Sequence, residues 1–449
     1  MVKKKDKTLY TENSIVSETP REFCRRVPST YLGSSKTNTN LIKEVYANSV
    51  DEAVLEHGNT INVSVDIDKN KYIVQDFGQG FLINAGIDEN GETVMQRSFD
   101  VMNTSGKTSA DGVYGGSALG VNGIGAKLTN WLSSKLIATS VRDGEYEKLW
   151  FKDGIFQKRE LGKTSEHSGT TVEWYPDKQF FASNEPDFSF LCEYFEEIGA
   201  LVPNLTTNFT YIKDGKEKKF VYYIPDGLDH LVTERVGDKE LFSNRFIIDR
   251  TIGTDSISMC LTYTSDYSDN ITSFVNLGKT EGGEHISAFK SVFTRTLNKY
   301  AQETNKLKAK EKNLTSNELM EGLYVIFNVT TTTVKYDAQN KSRIDSIDAN
   351  IINQTISGDF ATWLMNNPNE ADIILERALV AAKKAKDKIR EVAKKDTTSL
   401  FGDFPTKLSD AYPKNRNDRG KCEIYFVEGD SAGGTIKSTR DSTFQACLP

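Results

Sequence analysis

The stretch EVYANSVDE at residues 44–52 lies within a helical hydrophobic pattern that runs from residue 41 to about residue 56. Its acidic and amide side chains stand at positions i, i+4, i+7 and i+8 and so share one face of the predicted helix: Glu44, Asn48, Asp51 and Glu52. A carboxylate four residues from a carboxamide suits nucleotide hydrolysis, because Asn48 can ligate Mg²⁺ while Glu44 orients and deprotonates a water. An amphipathic helix with a solvated face would show the same pattern, so the stretch needs further support.

Two predicted strands follow, at residues 61–67 and 71–76, and the second runs into QDFGQG at residues 75–80. The carboxylate of Asp76 can accept a hydrogen bond from the amino group of adenine. Gly78 and Gly80 would let the backbone approach the base closely. A simple Asp-containing turn would look the same.

A glycine-rich segment runs from residue 106 to residue 125 and leads into a predicted helix at 126–128. SGKT at residues 105–108 resembles the end of a P-loop, but Val101 stands where that motif requires glycine, so we reject a P-loop. Backbone amides entering a helix form an anion site suited to phosphates, although a flexible loop is the alternative. The candidate phosphate and ribose ligands of this segment are Ser105, Gly106, Lys107, Tyr114, Gly120, Asn122, Gly123, Ile124, Gly125, Ala126 and Lys127.

A fourth element, SGTTVEW at residues 168–174, adds Thr170 before a predicted strand. In this order the four elements resemble the GHKL ATPases, which include gyrase, Hsp90-type chaperones, histidine kinases and MutL. The resemblance covers about the first 220 residues and implies an α+β fold, an α/β sandwich with a mixed sheet and ATP beneath a lid. It also implies Glu44 as general base, Asn48 as the ligand of Mg²⁺, and Asp76 as the residue that binds adenine.

Further stretches resemble one branch of that family, the type IIA DNA topoisomerases. SFVN at residues 273–276, EGGEH at 281–285 and YDAQNK at 336–341 are similar to its α/β transducer domain. The resemblance implies that Gln339 and Lys341 reach from this domain into the ATP site. An ammonium arriving from another domain can contact the γ-phosphate and report its presence, whereas a solvated loop lysine is the alternative.

The octet VEGDSAGG at residues 427–434 ends a predicted buried strand and resembles the opening of a Toprim domain. There the resemblance implies Glu428 as a Mg²⁺ ligand or general acid in DNA cleavage. The sequence ends at Pro449 without the Asp-x-Asp of Toprim or a cleavage tyrosine, so we expect a piece of a longer enzyme that cannot cut DNA alone. GVNGIGAK at residues 120–127 leans toward the eukaryotic-like form and predicts a T-even-phage-type large subunit.

The resemblance also predicts the organisation and the partners of the chain. The expected segments are an extended N-terminal arm (1–40), the ATPase domain (41–240), a transducer ending in a long helix at about 370–395 (241–398), a linker (399–420) and an incomplete Toprim domain (421–449). The implied ligands are ATP and Mg²⁺. The implied partners are duplex DNA, a second copy that joins through the ATPase domains on ATP binding, and a subunit or chain region carrying the cleavage tyrosine.

Composition limits the other functional classes. The 449 residues carry a formal net charge of −7, so DNA binding would need local basic patches. The five scattered cysteines lack a CxxC pair, which argues for free thiols and against a zinc site. We see no apolar run of membrane-spanning length and no signal peptide, and we therefore expect a cytoplasmic protein, in the host-cell cytoplasm if phage-encoded, without a membrane partner.

Departures from the family pattern leave alternatives open. Gln79 replaces the usual arginine of the Asp-x-Gly-x-Gly motif, so Arg142 is predicted to partner Glu52 instead. A nucleotide-gated clamp or chaperone without enzymatic activity is disfavoured by the octet at residues 427–434. A histidine kinase would need a phospho-accepting histidine before the helix, but the first histidine is His57. An ATPase that binds without hydrolysing remains open.

Overall fold

The fold is described from a computed structural model. The described residues are 18–32, 36–83, 87–89, 91–102, 123–308, 311–337, 343–397, 408–413 and 416–449. The chain divides into two compact units, residues 1–381 and 382–449.

In the described ranges the helices are α1 (Pro20–Arg26), α2 (Ser29–Leu32), α3 (Thr39–Val54), α4 (Val94–Asp100), α5 (Gly125–Trp131), α6 (Phe188–Leu201), α7 (Leu228–Val236), α8 (Glu284–Glu303), α9 (Ser316–Met320), α10 (Asn350–Gln354), α11 (Ala361–Asn366), α12 (Pro368–Thr397) and α13 (Gly429–Thr439). The strands are β1 (Thr60–Asp66), β2 (Lys71–Asp76), β3 (Ser133–Arg142), β4 (Glu145–Lys152), β5 (Ile155–Lys163), β6 (Gly169–Pro176), β7 (Thr206–Lys213), β8 (Lys216–Tyr223), β9 (Phe246–Ile252), β10 (Asp255–Tyr263), β11 (Asn270–Val275), β12 (Gly278–Thr280), β13 (Gly282–Gly283), β14 (Leu323–Thr330), β15 (Lys335–Tyr336), β16 (Arg343–Ser346), β17 (Glu423–Phe426) and β18 (Gln445–Leu448).

The first unit contains an eight-stranded mixed sheet in the order β5-β4-β3-β6-β2-β1-β7-β8. Neighbouring strands of this sheet are antiparallel, except that β1 and β7 are parallel to each other. Strand β1 alternates between buried and half-buried side chains, so one face packs beneath α3 and forms a core. The α+β class and the mixed sheet predicted from the sequence are confirmed.

Helix α3 packs its apolar side on the sheet and leaves its other side available for a site. Its apolar side chains Leu41, Ile42, Val45 and Val50 are buried against the sheet. Tyr46 is buried as well, and its hydroxyl lies 2.7 Å from Thr207 Oγ1. The opposite side of this helix therefore presents Glu44, Asn48 and Glu52 to a cavity, whereas Asp51 of the predicted polar face is buried and lies outside the cavity lining.

The beginning of the described chain corrects one prediction. We expected an extended arm through residue 40, but Pro20–Arg26 and Ser29–Leu32 form α1 and α2. The helical signal was present in the sequence, because Thr19 and Glu22 form a reciprocal capping box with Pro20 in the first turn. Arg25 then ties α1 to the sheet domain by donating to the carbonyl oxygen of Trp131 at 2.6 Å.

A second sheet of the first unit has the order β12-β11-β14-β10-β9. Strand β14 lies at its centre, with seven of its eight residues buried, which explains its unbroken apolar sequence. The elements predicted in this region lie close to the observed β10, β11, α8, β14 and α12. The predicted limits of the ATPase, transducer, linker and Toprim segments stay predictions.

The second unit contains a pair of parallel strands, β17 and β18, and the helix α13. We predicted a buried strand at residues 422–427, and this is wrong, since all four residues of β17 are exposed and Phe426 keeps 72% of its surface accessible. In the part of this unit that the structure describes, the sheet has two strands, too few to cover the apolar side chains of β17. Among the described residues, no helix combines the length and apolar character needed to cross a membrane.

Candidate functional site

A cavity of about 940 Å³ lies beside α3, the end of β2, the beginning of β6 and the beginning of α5. Predicted site residues that line it are Glu44, Asn48, Glu52, Asp76, Gly80, Gly123, Ile124, Gly125, Ala126, Lys127 and Thr170. Residues far apart in the sequence are thus brought to one space by the mixed sheet.

Other predicted site residues lie outside the described residues: Ser105, Gly106, Lys107, Tyr114, Gly120, Asn122, Gln339 and Lys341. Their roles stay predictions. Gly78 is described but is not part of the cavity lining, and it acts on the site through its backbone.

Asp76 ends β2 and is held by three donors. Its Oδ2 accepts from Ser49 Oγ at 2.8 Å, and its Oδ1 accepts from the backbone nitrogens of Gly78 and Thr170, each at 3.1 Å. Burial raises the pKa of Asp76, while these three hydrogen bonds act in the opposite direction. The result is an oriented, buried acceptor that faces the cavity and can receive a donor from a ligand.

The glycine before Thr170 explains how β6 reaches Asp76. Gly169 has a φ of 152°, and a Cβ added there would lie 2.2 Å from the carbonyl oxygen of Asp76. Only a residue without a side chain allows this approach, which brings the Thr170 nitrogen to the carboxylate. The Gly-Thr pair is therefore a structural requirement of the Asp76 site.

Glu44 and Asn48 occupy successive turns of α3 at the cavity wall. Asn48 Nδ2 donates to the backbone oxygen of Glu44 at 3.0 Å, which leaves the amide oxygen Oδ1 as the atom suited to a cation. One amide oxygen completed by phosphate oxygens and waters matches the preference of Mg²⁺. The Glu44 carboxylate packs against Gly125, where an added Cβ would come within 2.1 Å of Glu44 Oε2.

Lys127 brings a cation to the same cavity from α5. The residue is 2% exposed, and burial lowers the pKa of Lys127 to about 8. An anion beside this nitrogen would stabilise its charged form, so Lys127 suits a phosphate ligand.

The surroundings of Glu52 overturn one prediction. Arg142 Nη1 donates to the carbonyl oxygen of Gly80 at 3.3 Å, and its Nε lies 3.6 Å from Asp143 Oδ2. Arg142 therefore does not partner Glu52, because its side chain is turned toward the backbone of the β2 end. His57 takes that place, with Nδ1 3.2 Å from Glu52 Oε2.

Sequence reasoning missed several residues of this cavity. Ser49 falls between the polar positions of α3 and would have needed the position of Asp76 to be recognised. Glu193, Glu197 and Lys279 line the same cavity from α6 and β12. Nothing in their local sequence indicates this, since the contact depends on how the second sheet packs on α6.

Glu428 belongs to the second unit and stands at the N-cap of α13, without a side-chain capping bond. In the parts of the chain that the structure describes, no group of three or more His, Cys, Asp or Glu side chains is arranged to hold a metal ion. The role of Glu428 as a Mg²⁺ ligand stays a prediction.

Comparisons with known proteins agree with this geometry. The chain is similar to the 43K ATPase domain of Thermus thermophilus gyrase B, solved with an aminocoumarin, at 25% identity and a TM-score of 0.66 over 83% of this chain and 98% of that one. The DNA gyrase B protein of Campylobacter jejuni is 34% identical over 95% of this chain, and the B protein of DNA topoisomerase 4 from Mycoplasma capricolum is 33% identical over 98%. The family model for DNA gyrase B matches residues 227–394.

The fold thus matches that of the ATPase domains of type II DNA topoisomerases. The chain belongs to the family of DNA gyrase B and the corresponding topoisomerase 4 proteins. The broader prediction of a type IIA DNA topoisomerase is confirmed, although residues 120–127 had pointed away from the gyrase form. It spans 55% of the length of the Campylobacter protein and 69% of the Mycoplasma protein. The narrower prediction of a T-even-phage-type large subunit stays a prediction.

Proposed function

We propose that this chain binds and hydrolyses ATP as the N-terminal gate of a type IIA DNA topoisomerase. The observation that supports this most directly is the oriented Asp76 carboxylate, fixed by Ser49, Gly78 and Thr170 in the cavity that Glu44 and Asn48 also line. A buried acceptor suits the adenine base, and a carboxylate-carboxamide pair suits the phosphate end, where water and Mg²⁺ must be positioned.

Each residue has a specific role in this proposal. Asp76 accepts from the adenine amino group, and Glu44 orients and deprotonates the attacking water. Asn48 would hold Mg²⁺, which supplies charge neutralisation at the phosphates. Lys127 and the glycines of residues 120–125 bind phosphate, while Gln339 and Lys341 contact the γ-phosphate from the second domain.

The gate follows from nucleotide-dependent association of two copies. ATP binding drives the ATPase domains of two chains together, and a DNA duplex is trapped between them. Cleavage residues on a separate subunit or chain region then act on a second duplex. The net charge of −7 means that local basic patches must contact the DNA. We place this activity in the cytoplasm.

Sedimentation of the chain with and without a non-hydrolysable ATP analogue and Mg²⁺ tests the proposal. We expect a shift from monomer to dimer that the variant Asn48→Ala loses. If the chain binds the analogue tightly but stays monomeric, the ATPase site stands and the gate mechanism is rejected. A chain that binds no analogue would reject the proposed function as a whole.

A further inference from the structure

We infer that His57 is a positioning residue, whose imidazole holds the Glu52 carboxylate against residues 77–79 and thereby fixes one wall of the nucleotide cavity. The inference rests on the proposed function, because it concerns nucleotide affinity. His57 belongs neither to the cavity lining nor to the four sequence elements of the GHKL pattern.

The end of α3 explains how His57 reaches Glu52. The helix ends at Val54, and Glu56 adopts a left-handed conformation with a φ of 61°. The backbone nitrogen of His57 donates to the carbonyl oxygen of Glu52, and that of Glu56 donates to Ala53, both at 3.0 Å. These two bonds form a Schellman cap, which turns the chain back over the last turn of the helix. The turn brings His57 Nδ1 to 3.2 Å from Glu52 Oε2.

Glu52 transmits this contact to the segment that follows β2. The same Oε2 atom accepts from the backbone nitrogen of Gln79 at 3.2 Å. At Gly78 an added Cβ would lie 2.8 Å from Glu52 Oε2, so the carboxylate is packed directly on the backbone. Because Glu52 lines the cavity, its orientation decides the shape of that wall.

A second contact between the same two segments supports this role. Gly58 follows His57, and a Cβ added at Gly58 would lie 2.5 Å from the carbonyl oxygen of Phe77. The cap is therefore in backbone contact with the segment after Asp76 at Phe77, next to the residues that the Glu52 carboxylate contacts. Without the His57 contact, Glu52 keeps the bond from the Gln79 nitrogen but loses the partner that fixes its carboxylate, so the backbone that carries the donor of Gly78 to Asp76 is held less firmly.

The charges around Glu52 show why a donor is needed there. Asp76 lies close enough that the charge of Glu52 adds to the effect of burial in raising the pKa of Asp76. The described contacts of Arg142 are with Gly80 and Asp143, so that guanidinium does not offset the pair of carboxylates. His57 Nδ1, 3.2 Å from Glu52 Oε2, is the side-chain nitrogen placed to donate a hydrogen bond to this carboxylate.

The test measures the affinity of the full chain for a non-hydrolysable ATP analogue with Mg²⁺ by calorimetry, together with KM and kcat for ATP. We expect His57→Ala to weaken affinity roughly three- to ten-fold, the loss expected for one hydrogen bond, with kcat unchanged. The double variant His57→Ala/Gln79→Arg should restore affinity to within about two-fold, because residue 79 starts beside Glu52 and an arginine there can supply the missing donor.

Glu56→Gly is the matched control. It relaxes the left-handed residue of the same cap while keeping His57, so it should raise the melting temperature and leave affinity unchanged. Unchanged affinity in His57→Ala, or a double variant no better than the single one, would overturn the inference while leaving the proposed function intact. A wild-type chain that binds no nucleotide would overturn both.

Discussion

The Glu197 carboxylate of α6 accepts a hydrogen bond from Lys279 Nζ at 2.7 Å, although Glu197 is only 3% exposed. Arg235 at the end of α7 donates to the same oxygen at 2.8 Å. Helix α6 covers the first sheet, whereas Lys279 lies on β12 at the edge of the second. One buried carboxylate therefore joins the two sheets, and Lys279 brings the second sheet to the wall of the nucleotide cavity.

Breaking this ion pair should destabilise the chain. Lys279→Met leaves Glu197 hydrogen-bonded to Arg235, so we expect the free energy of unfolding to fall by about 1–2 kcal/mol, discounted because Lys279 is half exposed. Urea unfolding measures the change. In a double-mutant cycle with Glu197→Gln the losses should be less than additive, and additive losses would show that the two residues do not interact.

His285 should make the second sheet sensitive to acid. The residue is fully buried, its Nε2 lies 2.9 Å from Thr280 Oγ1 and 3.0 Å from Ser273 Oγ, and burial lowers the pKa of His285 to about 4. An unfolded histidine titrates near 6.5, so the unfolded state binds more protons between these two values. Stability is therefore lost as pH falls through this window, by up to about 3 kcal/mol.

The measurement is urea unfolding at neutral pH and near pH 4.5, with His285→Gln as control. Carboxylates titrate in both proteins, so the difference between the two pH dependences isolates the histidine. We expect the wild type to lose more stability than the variant. Equal losses would show that His285 is protonated without cost in the folded protein.

Because of Lys127, the affinity for nucleotide should fall as the pH rises into the alkaline range. Burial lowers the pKa of Lys127 to about 8 without a ligand, and a bound phosphate would hold the ammonium protonated. Above this value the neutral amine must take up a proton before binding, so affinity for the ATP analogue should fall toward tenfold per pH unit. Calorimetry in two buffers with different ionisation enthalpies reports the proton uptake, which Lys127→Met should abolish. If Lys127→Met keeps the pH dependence of the wild type, the proton is taken up by another group.

Asp76 and Ser49 should differ in the size of their effect on nucleotide binding. Asp76→Asn puts an amide where the adenine amino group needs an acceptor, and we expect affinity to fall roughly 100-fold or more. Ser49→Ala removes one of the three donors that hold Asp76, so a loss of only about three- to ten-fold is expected. Competition with a fluorescent ATP analogue measures both. Equal effects of the two variants would argue against direct adenine contact by Asp76.

The sequence predicts those parts of this site that depend on local periodicity. The polar face of α3 and the acidic end of β2 follow from the spacing of residues 44–52 and 75–80, and both are found, except that Asp51 is buried and does not line the cavity. The pairing of Glu52 with His57 instead of Arg142 could not be predicted, because it depends on a left-handed residue at Glu56 and on the direction of a long flexible side chain. The same holds for Lys279, which reaches the cavity through packing between two sheets.

Errors elsewhere have equally physical causes. The helix at residues 20–26 was missed although Thr19 and Glu22 carry a capping signal, because the polar composition of the segment outweighed it. The exposed strand β17 has an apolar sequence that predicts burial, but burial requires covering elements that a two-stranded sheet does not supply.

The central claim is that Glu44 activates water on ATP bound in this cavity. The most direct measurement compares steady-state ATP hydrolysis and analogue affinity in the wild type and in Glu44→Gln. We predict that hydrolysis falls roughly 100-fold or more while affinity changes by less than about three-fold, because a general base acts in the transition state and contributes little to ground-state binding. Hydrolysis at the wild-type rate in Glu44→Gln, or a wild type that binds ATP without hydrolysing it, would contradict the account.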